Sequence, residues 1–121
     1  MNNLLLSSVF LRIALLSILS VIILFLSSGC APIFVKNDPW LGRDKLYHFV
    51  CTGAIGAGTT FAARSNGEPR STAPVYGISA ALTVGAGKEW YDLKIKNTFW
   101  SWKDFTWDII GGTAGSYAAA R

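Results

Sequence analysis

Between Leu4 and Leu26 the chain carries one ionisable side chain, Arg12, and the run ends in Leu26-Ser-Ser-Gly-Cys30. Such a stretch is lost to domain building. An apolar segment followed by small residues is the layout of a secretory signal, whose cleavage site is recognised through its small side chains. The cysteine directly after them narrows the reading to a lipoprotein signal peptide over residues 1–29, cut before Cys30, with the Cys30 thiol acylated. Ser27 stands where such signals usually carry Leu and is tolerated there. An uncleaved anchor helix is the alternative. It needs about twenty apolar residues, and Ile13 to Leu26 is shorter than that unless Arg12 is drawn into the bilayer. The position of the cysteine decides for the lipoprotein, and either reading takes the chain out of the cytoplasm.

Residues 30–121 then leave room for one small domain, whose water-soluble core would be marginal without staples. No disulfide supplies one. The chain has two cysteines, and acylation of Cys30 leaves no internal pair, so Cys51 reads as a small packing residue in a helix. The membrane supplies what the core lacks, by covering apolar surface. A formal net charge of +4 with its signs interspersed suits anionic head groups and offers no basic block for nucleic acid. Ala31, next after the acylated cysteine, is not the Asp that usually holds a lipoprotein in the inner membrane of a two-membrane bacterium. The expected location is therefore the cell envelope, membrane-anchored and periplasm-facing, with the outer membrane favoured.

Pro32, Asn37, Asp38 and Pro39 interrupt any periodicity, so residues 30–41 read as the acylated cysteine and its tether. Residues 42–121 read as all-α, a small antiparallel three-helix bundle. The first helix is expected from Gly42–Asp44 to about Arg64, with Asp44 at the positive end of the helix dipole. Beyond Phe49 it turns to Gly53, Ala54, Gly56, Ala57 and Gly58. Small residues let backbones approach as they do between membrane helices, at a cost in helix propensity. Ser65-Asn-Gly-Glu-Pro-Arg70 breaks the helix. A second starts near Ser71 or Thr72, with Pro74 tolerated in its first turn, and ends on Lys88-Glu-Trp-Tyr-Asp92. Residues 93–98, with Lys94 and Lys96, make a loop. Ser101-Trp-Lys-Asp104 fits a capping box that opens the third helix: the hydroxyl takes an early backbone N–H and the Asp104 carboxylate reaches back.

Three helices with short connections run up, down, up. One end then receives Asp44, Lys45, His48, Lys88, Glu89, Asp92, Lys103, Asp104 and Asp108. Asp44 with His48, Glu89 with Asp92, and Asp104 with Asp108 share helix faces. Charges inside a small bundle persist only when paired or hydrogen-bonded, so a network is expected. Trp40, Tyr47, Trp90, Tyr91, Phe99, Trp100, Trp102, Phe105 and Trp107 gather at the same end, as a membrane-interface belt or as an aromatic core. The apolar parts of the helices, about fifteen residues each, reach about 22 Å against a hydrocarbon layer of about 30 Å. With Cys30 outside, most lysines would also lie outside, against the positive-inside rule. Peripheral attachment is expected, with membrane lipid as the partner through Cys30 and the aromatic end, and the richness in Gly and Ala leaves partial embedding as the alternative.

The cluster admits two chemistries and one structural role. A metal site would take His48 with two or three of Glu89, Asp92, Asp104 and Asp108; no HExxH or paired ExxH motif marks it. An acid–base site would use His48 oriented by Asp44 or Asp108. In the structural role Asp104 caps, Asp44 offsets a helix dipole, Glu89 and Asp92 pair with lysines, and His48 is an interior donor. Ion-pair networks look the same in sequence, and the structural or interaction role is the first reading. A membrane-associated, metal-dependent hydrolase using His48, Glu89, Asp92, Asp104 and Asp108 is the second. The sequence names no cofactor and no protein partner.

Three blocks carry a resemblance: Trp40-x-Gly42-x-Asp44-Lys45-x-x-His48-Phe49, Gly85-Ala86-x-Lys88-Glu89-x-x-Asp92, and Trp100-Ser-Trp-Lys-Asp-Phe-x-Trp-Asp108 followed by Gly111 and Gly115. Over Trp40 to Tyr117 the chain resembles the YfiM-like family of bacterial envelope lipoproteins. That resemblance implies an envelope lipoprotein and supplies no activity, substrate or cofactor. A looser likeness connects it to VanZ-type membrane proteins, which also place Asp-Lys and His at one helix start and carboxylates with glycines in a later helix. That likeness implies integral helices.

Overall fold

The computed structural model describes residues 39–97 and 99–121, together with residues 8, 9, 11–13, 15, 16, 18–20, 22 and 23. Cys30, the cleavage site before it, the tether up to Asp38, and Thr98 lie outside the described residues. The protein is all-α, and no strand occurs among the described residues. Three long helices follow one another: α1 (Arg43–Ser65), α2 (Ala73–Lys94) and α3 (Trp102–Ala120). Described residues between 8 and 23 are helical as well, and Ile18 lies against α1 at Gly58, where an added Cβ would stand 3.2 Å from Ile18 Cγ1. The packing therefore holds more helix than the three expected from residues 42–121.

The helix ends follow from local chemistry. Gly42 precedes α1 in an extended conformation, with Asp44 in the first turn. At the far end the Asn66 N–H returns to the Ala62 and Ala63 carbonyls. Gly67 then takes φ +94°, a left-handed conformation that glycine adopts without steric cost. Pro74 sits in the first turn of α2, where a missing N–H leaves no helical bond unmade. The expected loop at residues 93–98 begins later than the sequence suggests, because α2 runs on to Lys94. Lys88 and Lys96 both hold Asp92, at 2.7 and 3.4 Å, and these one-turn pairs carry the helix past it. The capping box forms only in part. Ser101 Oγ accepts the Asp104 N–H at 3.2 Å, but the Asp104 carboxylate turns to Lys45, and the Ser101 N–H donates to Glu89 Oε2 at 2.9 Å. An ammonium is the stronger partner for a carboxylate than a backbone amide.

Lys45 and His48 meet Asp104 and Asp108, and Gly53 meets Gly111 and Gly115, so α1 and α3 lie side by side and point the same way. α2 points the other way, with Gly85 against Asp108 at one end and Gly77 against Gly56 and Thr60 at the other. The approach is close because the contact positions lack side chains. A Cβ on Gly115 would stand 2.7 Å from the carbonyl carbon of Gly53, and one on Gly85 would stand 2.6 Å from Asp108 Oδ2.

The polarity of the packing is inverted. Among the described residues the buried apolar side chains are Ile55, Ala73, Pro74, Ala81 and Ala120, whereas Lys45, His48, Lys88, Glu89, Asp92 and Asp108 are buried along with Thr52, Thr60 and Ser116. The large apolar groups point outward. Leu46 is 62% exposed, Val75 61% and Tyr117 59%, with Val50, Phe61, Tyr76, Ile109 and Ile110 also exposed. No Phe, Tyr or Trp side chain among the described residues is fully buried, and Phe49, Trp100, Phe105 and Trp107 are half-buried, so these rings cover the bundle and do not fill its centre.

Candidate functional site: a buried ionisable centre

The parallel course of α1 and α3, with α2 returning between their starts, brings the three ionisable runs together. His48 is fully buried. Its Nδ1 lies 2.8 Å from Asp108 Oδ1, and its Nε2 lies 3.5 Å from Asp104 Oδ2 and 4.0 Å from Glu89 Oε1. Of the two carboxylates expected to orient the imidazole, Asp108 does so. Asp44 instead accepts from Lys45 Nζ at 2.6 Å, and the same ammonium donates to Asp104 Oδ1.

Asp92 is held by Lys88 and Lys96. Glu89, expected to pair with a lysine, accepts the Ser101 N–H through Oε2. Its other oxygen, Oε1, is buried with no hydrogen-bond partner among the described residues, and so is Asp108 Oδ2. Lys103 extends to the aromatic layer, its Nζ 5.5 Å from the centre of the Trp40 ring, a cation–π distance. Trp100, Trp102 and Phe105 contact one another at 5.4 to 6.3 Å between ring centres, and the Trp107 Nε1–H donates to the Trp40 carbonyl at 2.9 Å.

Electrostatics follow burial. Burial pushes the Glu89 carboxyl above its usual range, against the downward pull of the Ser101 N–H and the nearby Lys88 charge. Burial likewise raises Asp108, against the hydrogen bond and charge of His48. For Asp44 burial also pushes upward, but the Lys45 hydrogen bond and charge outweigh it and hold the carboxyl below its usual value.

Three residues support the centre in ways that the sequence did not show. The Thr52 hydroxyl, one turn beyond His48, donates to the His48 carbonyl at 2.6 Å. Gly85 leaves the space that Asp108 fills. Ser101 acts through its main-chain N–H, which side-chain identity does not announce.

With Asp108 accepting from Nδ1–H, the neutral imidazole presents Nε2 as its lone-pair nitrogen. That atom, one Glu89 oxygen and one Asp104 oxygen lie within 4.8 Å of one another. Proton transfer through the His48–Asp108 couple would need a route to solvent, and both side chains are fully buried. Comparison with known proteins finds no family model that matches the chain, no matching curated protein and no matching solved structure.

Proposed function

We propose that the chain is a bacterial cell-envelope lipoprotein, anchored through acylated Cys30, whose three-helix bundle is seated in the apolar layer of the membrane with a structural or interaction role. The inverted polarity carries this reading. In water, leaving Leu46, Val50, Val75, Ile109 and Tyr117 outside forfeits burial of about 1.5–3 kcal/mol for each large side chain. Against lipid tails that loss disappears. Small residues and paired polar groups then suit the interior, as they do between membrane helices.

The charge distribution supports the same seat. Residues 49–63, 71–87 and 109–120 contain no Asp, Glu, Lys, Arg or His, so the charged groups of α1, α2 and α3 fall at the two ends of these helices. The uncharged band is about 22 Å tall, less than the roughly 30 Å of hydrocarbon, which favours seating over spanning. Among the described residues no helix is long and apolar enough to cross a membrane. Trp40, Tyr47, Trp90 and Trp102, more than half exposed around the ionisable end, suit the head-group level. The resemblance to YfiM-like lipoproteins agrees with this reading, and Ala31 favours the outer membrane. The burial of His48 and Glu89 weighs against a hydrolase. A VanZ-like integral arrangement would share the inverted polarity and differ in depth.

Two labels on the full chain test the proposal. Palmitate should be incorporated into the wild type and not into Cys30→Ser. A photoreactive group carried midway along a phospholipid acyl chain should label peptides that contain Val50, Tyr76 and Ile109. Labelling confined to the acylated N-terminus would reject the seat. Labelling of the same peptides from probes delivered to either leaflet would favour the integral alternative.

A further inference from the structure

We infer that His48, Glu89 and Asp104 form a binding site for a first-row divalent cation of the zinc or manganese class, with Asp108 as the residue that positions the histidine. Each of the three side chains has one polar atom clamped and another turned inward. His48 Nδ1 is held by Asp108 at 2.8 Å, Glu89 Oε2 by the Ser101 N–H at 2.9 Å, and Asp104 Oδ1 by the Lys45 ammonium. The atoms that converge are His48 Nε2, Glu89 Oε1 and Asp104 Oδ2, separated by 3.5 Å from nitrogen to Asp104 and 4.0 Å from nitrogen to Glu89.

Ligands about 2.0–2.2 Å from a tetrahedral ion lie about 3.3–3.6 Å apart, so a small contraction closes the set. An acidic cluster alone would not justify an ion. Here a second observation does: Glu89 is 2% exposed and its Oε1, aimed at the histidine, has no hydrogen-bond partner among the described residues. A buried carboxylate oxygen needs a proton, a donor or a cation.

The donor set selects the ion class. One imidazole and two carboxylates suit zinc or manganese; calcium takes six to eight oxygens, and copper(I) prefers sulfur. The carboxylate behind the histidine is the usual outer-shell support of a metal-bound imidazole, fixing which nitrogen carries the proton. Asp104, at 14% side-chain exposure the least buried of the three, marks the side from which a water completes the coordination. Such a site would hold the starts of α1 and α3 to the end of α2, independently of whether the outer face meets lipid.

The test uses the mature acylated protein in detergent, with zinc and then manganese as probes. The expected result is one ion per chain retained through gel filtration, with chelation lowering the melting temperature and the added ion restoring it. Glu89→Gln keeps an acceptor for the Ser101 N–H, so it should melt near the chelated wild type and ignore added zinc. Asp108→Asn should still bind zinc, with affinity reduced about 10–100-fold, a change that a purely structural role would not produce. Glu68→Gln, a half-buried change at the far end of α1 and outside the site, should bind as wild type. Sub-stoichiometric metal in the wild type with no zinc-dependent melting shift would overturn the inference, as would undiminished binding by Glu89→Gln.

Discussion

Lys45 places its ammonium between two carboxylates, but Asp44 keeps 33% of its side chain in solvent, whereas Asp104 keeps 14% and Lys45 itself 2%. Water reaches the Asp44 side of the first contact and screens it, so that contact contributes at most about 1 kcal/mol. Removing the shared cation is different. It leaves carboxylates facing each other with little solvent to relieve them, and breaking a buried pair from one side costs about 3–5 kcal/mol. Lys45→Met keeps most of the aliphatic stem and deletes the charge. In urea unfolding of the detergent-solubilised protein it should lower stability by about 3 kcal/mol, while Asp44→Asn should cost under about 1 kcal/mol. Equal losses would mean that Asp44, and not the Asp104 side of the bridge, holds the lysine in place.

At the scale of the helices, glycine acts through contact and not through flexibility. Alanine in mid-helix normally gains about 1 kcal/mol over glycine. At Gly115 of α3 the sign should reverse. A methyl group there would meet the backbone of Gly53 in α1 at 2.7 and 2.9 Å, and backbone atoms cannot step aside as a side chain can. Gly115→Ala should destabilise by about 1–3 kcal/mol in denaturant unfolding, whereas Gly87→Ala, with open space around it, should stabilise. Ser101→Ala, which removes the acceptor of the Asp104 N–H, should cost about 1 kcal/mol. It should leave the Glu89 contact in place, because the main-chain N–H remains. The sequence made the helix starts legible: Gly42, Pro74 and Ser101 each mark a start with a local rule, and the up-down-up order brought His48 to Glu89, Asp104 and Asp108. What it hid was partner choice. Asp104 satisfies the capping rule by spacing, yet a lysine 59 positions away takes its carboxylate, and only tertiary packing reveals that competitor. Which face of each helix turns inward was hidden as well, because small and apolar residues alternate without the polar stripe that usually marks an outside.

Taken whole, the molecule places its polar groups where a water-soluble protein places its core, and the consequence can be measured on the outer face. Val50 on α1 and Tyr117 on α3 are 56% and 59% exposed and belong to the uncharged band. In water a charged residue at either position should change stability by no more than about 0.5 kcal/mol, as at other open surface sites. In contact with hydrocarbon, a lysine or aspartate approaches about 2.5–3.5 kcal/mol at the centre of a membrane helix and somewhat less toward the head groups. The two environments therefore predict different outcomes for the double variant Val50→Asp, Tyr117→Asp. The comparison needs residues 31–121 secreted behind a cleavable, non-acylated signal, so that neither the acyl group nor the apolar N-terminal stretch holds the protein on the bilayer. Removing that stretch also clears Gly58, where Ile18 otherwise lies, and leaves the flank of α1 to lipid. The parent should float with phospholipid vesicles in a density gradient. The double variant should partition at least tenfold less, equivalent to about 1.4 kcal/mol, with an unchanged circular-dichroism spectrum. If both float alike, or neither floats, the outer face is not a lipid seat, and its exposed side chains must be covered by protein.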